Sequence, residues 1–120
     1  MTMISQVSLV AGLMMVSISG VLAAPRYLSC EFAQPSGKSQ IFNFALDASS
    51  GTLGIHVPST GSERQVKAVF AANTVSANEG AVAWEIDPSK LVVVRDKRMV
   101  GEKDRGVCKR ISAGESGFDQ

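Results

Sequence analysis

The residues of this chain best suited to chemistry are two cysteines, Cys30 and Cys108, and a single histidine, His56. In an oxidising compartment an even pair of cysteines in a small domain predicts one disulfide. This disulfide would close a loop of 79 residues, from Cys30 to Cys108. For a loop of that length the chain-entropy model gives about 4.5 kcal/mol of stabilisation, as much as the net stability of a marginal domain. Two free or metal-bound thiols are the alternative, but no second Cys or His pair supports a metal site.

His56 has no candidate catalytic partner nearby in the sequence. A catalytic or metal-binding histidine needs a positioned nucleophile, carboxylate or further ligands. We therefore interpret His56 as a solvated strand residue, because it alternates with apolar Ile55 and Val57. Phosphate-binding glycine loops and the Gly-x-Ser-x-Gly, Cys-x-x-Cys and His-Glu-x-x-His motifs do not occur in the sequence. These observations predict a protein that is not an enzyme and uses no cofactor or metal.

The segment from Arg95 to Arg110 carries the largest local excess of charge, with seven basic and three acidic residues. Such a segment can form charge-assisted bonds to an acidic protein, a phosphate-bearing glycan or anionic lipid head groups. A solvated hairpin tip is the alternative interpretation, because acids interleave the bases. The candidate partner-binding residues of this basic loop are Arg95, Lys97, Arg98, Lys103 and Arg105. Over the whole chain 12 basic and 11 acidic residues nearly cancel, which argues against nucleic-acid binding.

The first charged side chain of the sequence is Arg26. The residues before Arg26 are mainly apolar, with Gly and Ser interspersed, and the apolar run ends in small residues. This pattern is typical of a helical secretory signal peptide. We predict that residues 1–23 are this signal. We favour cleavage after Ala23, because cleavage after Ala24 would leave Pro25 directly after the cut bond. An uncleaved anchor is the main alternative, since about 20 apolar residues can span a bilayer. Cleavage would leave the protein in the periplasm or secreted, without a stable membrane anchor.

The elements that must position these residues are short strands. Period-2 alternation dominates the rest of the chain, and turn signals rich in Gly, Pro, Asp and Ser separate the alternating segments. Trp84 alternates with Val82 and Ile86, which predicts a core position rather than an exposed anchor for a partner. The predicted strands are Tyr27–Ala33, Ile41–Leu46, Thr52–Val57, Gln65–Ala71, Thr74–Ala77, Ala81–Ile86, Leu91–Arg95 and Gly106–Ile111.

These strands predict one all-β domain over residues 24–111, folded as a small antiparallel meander. The alternation leaves open whether the meander closes into a barrel or folds into a two-layer sheet. The Gly- and Ser-containing tail over residues 112–120 is predicted to be flexible.

Three short motifs lie in the predicted domain: Tyr27-x-x-Cys30, Trp84-x-Ile86-Asp87 and Gly106-x-Cys108. Together they resemble a group of small proteobacterial periplasmic proteins, which implies a periplasmic location and the same architecture. The segment Ser59–Arg64 resembles the Ser-Gly loop of periplasmic inhibitors of C-type lysozyme, which are small disulfide-containing β-barrels. No inhibitory residues are carried over from that family.

The sequence thus predicts an exported, non-catalytic protein that contacts an envelope protein or glycan through loops such as Pro58–Arg64 or Arg95–Arg105. Two alternatives stay open. One is an inhibitor of a lysozyme-type hydrolase, and the other is a small lipocalin-like carrier, which needs an open apolar cavity.

Overall fold

A computed structural model of the chain describes residues 24–118, so the predicted signal peptide at residues 1–23 lies outside the described part. Within it, eight strands are followed by one short helix, α1, at Ala113–Ser116. The strands are β1 (Arg26–Ala33), β2 (Ser39–Asp47), β3 (Thr52–Val57), β4 (Ser62–Phe70), β5 (Val75–Asn78), β6 (Val82–Asp87), β7 (Val92–Lys97) and β8 (Glu102–Ile111). The helix is too short and too polar to cross a membrane, and the described residues contain no other helix.

Each strand pairs antiparallel with the next, and β1 also pairs with β8, so the meander closes into a barrel. The all-β prediction is confirmed, and of the two architectures left open the chain adopts the barrel. Cys30 and Cys108 lie directly opposite each other across the β1–β8 ladder, and their sulfurs are bonded at 2.06 Å. The predicted disulfide therefore joins the first and last strands and locks the seam at which the barrel closes.

The barrel interior is filled with side chains. Four aromatic rings, Phe32, Phe42, Phe44 and Trp84, pack together, and the Trp84 ring centroid lies 5.3 Å from those of both Phe42 and Phe44. Trp84 is buried, as its alternation with apolar neighbours predicted. Aliphatic side chains from every second strand position complete this core, because successive side chains of a strand point to opposite faces.

The two loops proposed for partner contacts lie at the same end of the barrel. In a meander the turns alternate between the two ends, so one end carries the turns at residues 34–38, 58–61, 79–81 and 98–101. We call this the upper end. The turn of the Pro58–Arg64 segment and the turn of the basic segment therefore share one end of the barrel, where the turns at residues 34–38 and 79–81 separate them on either side.

The described part of the tail, residues 112–118, is docked on the barrel. Ser112 caps α1 through a capping box with Glu115. The buried Asn43 side chain on β2 donates to the Ser116 carbonyl at 2.9 Å, and the Phe118 ring packs beside Tyr27 at 6.2 Å. The outer faces of β1, β2 and β3 offer these residues a complementary surface, which the composition of the tail does not reveal.

The docked tail also corrects the interpretation of His56 as a solvated residue. His56 does face outward from β3, but the Phe118 ring lies 5.7 Å from its imidazole and half buries it. Its Nδ1 atom is buried without a hydrogen-bond partner among the described residues. Small side chains make room for this cover: a Cβ atom built on Gly54 would lie 3.0 Å from the Phe118 ring.

Candidate functional site

Arg95 is not a loop residue, which corrects its assignment to the partner-binding basic loop. It belongs to β7 and points into the barrel, where it is 7% exposed. Its guanidinium lies 4.4 Å from the Phe32 ring centroid and donates to Gln40 at 3.1 Å and to Asp104. The sequence prediction ended β7 at Arg95 and began β8 at Gly106, so it treated charged strand positions as a loop.

Asp104 and Lys97 complete this interior group at the upper end. The Arg95 hydrogen bond holds the pKa of the Asp104 carboxyl below its ordinary value, and Lys97 lowers it further from 3.4 Å. Two of the five predicted basic-loop residues, Arg95 and Lys97, are thus engaged with Asp104. Their role is to close the upper end of the apolar core with a paired charge network.

A second carboxylate, Glu79, bridges two strands beside this network. It accepts from Arg64 of β4 at 2.6 Å and 2.9 Å, and from the indole N–H of Trp84 on β6 at 2.6 Å. The Arg64 hydrogen bonds are the main reason that the pKa of Glu79 is lowered, and the Trp84 bond acts in the same direction. The carboxylate therefore ties the β5–β6 turn to β4 through side chains.

This side-chain bridge lies beside the ladder that has the fewest paired residues, the β4–β5 ladder. The β4–β5 ladder has three residue pairs, Ala68–Phe70 with Val75–Ala77, which is fewer than any other ladder in the barrel. In the upper part of the seam, residues 62–66 of β4 pair with β3 on one side, and the described chain supplies no strand on the other, because β5 ends at Asn78 opposite Lys67.

A groove of about 450 Å³ opens on the outer surface of β4–β8, and it meets the end of this seam at Lys67. Its floor is made by small outward side chains of β5 and β6, Ser76, Asn78 and Ala83, while longer side chains from the flanking strands form its walls. Trp84, which lies between the outward residues Ala83 and Glu85 on β6, also lines it. The contrast between a floor of small residues and walls of long ones makes a concave surface on the outside of a barrel.

Three cations stand around the groove: Lys67 on the β4 wall, and Arg98 and Lys103 on the opposite wall. Each is exposed, and none makes an ion pair with any residue of the described chain. Two acidic side chains, Glu85 and Asp96, also line the groove. The arrangement can hold an anionic group on either wall, because a carboxylate or phosphate brought to these cations gains a charge-assisted hydrogen bond.

The structure thus divides the predicted basic loop. Arg98 and Lys103 line the groove, and Arg105 lies exposed on the same outer face, one alternating position further along β8. Lys67 was missed by the sequence analysis. No local motif marks it, since only the closure of the barrel places β4 on the same face as β8.

The turn between β7 and β8 adds an apolar tip beside Arg98. Met99 is 81% exposed and Val100 is 65% exposed. Two hydrogen bonds to the Lys97 carbonyl, from the N–H groups of Val100 and Gly101, hold this turn in one conformation. The tip therefore projects apolar surface from the upper end next to the groove.

Residues 24–118 contain no group of three or more His, Cys, Asp or Glu side chains that could hold a metal ion. The fold and the groove define a disulfide-closed, eight-stranded antiparallel barrel with a cation-lined external groove. The chain matches no protein-family model, no curated protein and no solved structure.

Proposed function

We propose that this chain is an exported, non-catalytic binding protein of the cell envelope, and that it holds an envelope protein or glycan in the groove on β4–β8. The observation that carries the proposal is the set of three unpaired cations around that groove, Lys67, Arg98 and Lys103. Its volume of about 450 Å³ falls within the range of sites that bind small molecules or short segments of a partner.

The packed interior supports a site on the outside rather than a carrier function. A lipocalin-like carrier needs an apolar cavity between its strands, and here aromatic rings from Phe32, Phe42, Phe44 and Trp84 meet in that space. The interior is closed further at the upper end by the Arg95–Asp104 pair. A ligand would have to displace this core to enter it.

Export is supported by the Cys30–Cys108 disulfide together with the apolar N-terminal sequence. Disulfides persist in the periplasm and outside the cell, whereas cytosolic thiols are kept reduced. Mass spectrometry of the protein isolated from a fractionated bacterial host checks this part. Mature protein that begins at Ala24 or Pro25 and has no alkylatable thiol is expected.

A comparative pull-down tests the binding site. Oxidised mature protein is immobilised and exposed to envelope extract, beside a groove variant in which Lys67, Arg98 and Lys103 are changed to Glu. The matched control changes Arg26, Lys38 and Lys90 to Glu, which alters the net charge equally at exposed positions outside the groove. A component retained by the wild type and the control, and lost from the groove variant, is expected. Equal retention by all three proteins contradicts the proposal.

The lysozyme-inhibitor alternative has its own measurement. Purified mature protein is added to C-type lysozyme, and hydrolysis of bacterial cell walls is followed. Inhibition that survives in the groove variant would assign the activity to another surface, with the turn of Ser59–Arg64 as the first place to look.

A further inference from the structure

We propose that the partner enters the groove as an extended, acidic peptide segment, which adds to the free edge of β4 as an extra strand. This inference rests on the proposed function, because it names the kind of partner that the groove accepts. The edge concerned is the upper part of β4, residues 62–66, where the seam with β5 is open.

The backbone hydrogen bonds show which β4 residues point their N–H and C=O groups toward the seam with β5. Ala68 N–H donates to the Gly51 carbonyl, so the even-numbered residues of β4 turn their peptide groups toward β3. Ala71 N–H donates to the Thr74 carbonyl across the β4–β5 turn, so the odd-numbered residues turn theirs toward β5. Glu63 and Gln65 therefore direct their N–H and C=O groups into the open part of the seam.

These peptide groups have no strand opposite them. Continuing the β4–β5 register would place Gly80 opposite Gln65, yet no backbone hydrogen bond joins the two residues. The seam is bridged there by the Arg64 and Glu79 side chains instead. An unpaired strand edge of this kind is a template for strand addition.

The surrounding charges select the sequence of the added strand. Lys67 follows the free edge on β4, and Arg98 and Lys103 face it across the groove. In an added strand every second side chain points outward, toward these cations. The segment that fits alternates acidic side chains with small or β-branched ones.

Synthetic peptides test the inference directly. The probe is an acetylated, amidated heptapeptide of alternating Glu and Thr carrying a fluorophore, and its binding to the oxidised mature protein is followed by anisotropy at low salt. Its controls are the same peptide with Lys in place of Glu, and the Glu peptide N-methylated at alternate backbone nitrogens. Strand addition predicts at least tenfold tighter binding of the Glu peptide than of either control.

Two substitutions at one position separate the backbone edge from the side chain. Gln65→Pro removes an N–H that points into the open seam, so the ladder with β3 stays intact and the barrel still folds. Gln65→Ala keeps the N–H and removes only the side chain. The inference predicts that the Glu peptide binds the Ala variant like the wild type, and the Pro variant at least tenfold more weakly. Unfolding curves of both variants confirm that the barrel is intact.

The remaining outcomes overturn the inference in distinguishable ways. If neither N-methylation of the Glu peptide nor the Gln65→Pro substitution weakens binding, the groove binds acidic peptides without strand addition. No peptide binding, combined with a groove-dependent component in the envelope pull-down, would leave the proposed function standing without a strand partner. Failure of both experiments would remove the proposed function as well. Concentration-dependent dimerisation that Gln65→Pro abolishes would assign the edge to a second copy of the chain.

Discussion

Arg95 lies over the ring of Phe32, with its guanidinium carbon 4.4 Å from the ring centroid, inside a barrel that is otherwise mainly apolar. Phe42 flanks the same cation at 5.3 Å. The aromatic faces and the Asp104 carboxylate together replace the water that a buried guanidinium loses. The pair therefore forms a polar cap on the core, immediately below the turns of the upper end.

Removing the Arg95 side chain is expected to destabilise the barrel strongly. Arg95→Ala leaves Asp104 without its main partner and opens a gap beside Phe32, so the free energy of unfolding should fall by about 3 kcal/mol. Urea unfolding followed by the fluorescence of Trp84, the only tryptophan, measures this loss. Arg98→Ala, an exposed position in the groove, should change stability by less than about 0.5 kcal/mol. Equal effects of the two substitutions would contradict a structural role for Arg95.

Stability should fall in acid because of Glu79. Its pKa in the folded protein is held below the ordinary value of 4.5, mainly by the Arg64 hydrogen bonds. The contribution of Glu79 to the free energy of unfolding is therefore fully present above the ordinary pKa of 4.5, and it is lost as the pH falls through the lower pKa of the folded state. Glu79→Gln should lower stability at neutral pH and flatten its decline between about pH 5 and pH 2. Glu85→Gln, at an exposed position, should keep the wild-type slope. Parallel declines in all three proteins would rule out the Glu79 contribution.

Opening the disulfide should reduce stability without changing the strand order. Cys30 and Cys108 are 78 residues apart in sequence and join the two ends of the meander. The chain-entropy model predicts a loss of about 4.5 kcal/mol for the Cys30→Ala, Cys108→Ala double variant. Urea unfolding of that variant, and of wild-type protein under reductant, should give matching shifts. A loss below about 1 kcal/mol would show that the β1–β8 ladder closes the barrel without the covalent bond.

The sequence predicted the architecture well because alternation is a local property. Every predicted strand corresponds to an observed one, and the Thr52–Val57 strand has the same bounds in both. The largest errors fall on charged strand positions, such as Lys97 at the end of β7 and Lys103 at the start of β8. A charged residue at the end of a strand, such as Lys97, looks like a loop residue when the partner that neutralises it, here Asp104, cannot be identified from the sequence.

The groove was harder to predict because it depends on the closure of the barrel. Arg98 and Lys103 stood out as basic residues, but Lys67 joins them only through the order of β4 to β8. The open seam follows from the length of β5, Val75–Asn78, and a difference of two residues there lies within the error of any pattern-based strand boundary. The docked tail likewise needed the three-dimensional surface of β1–β3, which Gly and Ser content does not indicate.

A single methyl group should release the tail from the barrel. A Cβ atom on Gly117 would lie 2.6 Å from Cε1 and 2.9 Å from Nδ1 of His56, and Gly117 also has a positive φ of 83°. Gly61 is the matched control: its φ is 77°, but nothing lies within 4 Å of the equivalent Cβ position. Both Gly→Ala substitutions carry the backbone penalty of about 1 kcal/mol, and only Gly117→Ala adds the clash with His56. Amide exchange of residues 113–118 should therefore accelerate by about tenfold or more in Gly117→Ala and stay at the wild-type rate in Gly61→Ala. Equal exchange in the two variants would mean that the contact with His56 does not hold the tail in place.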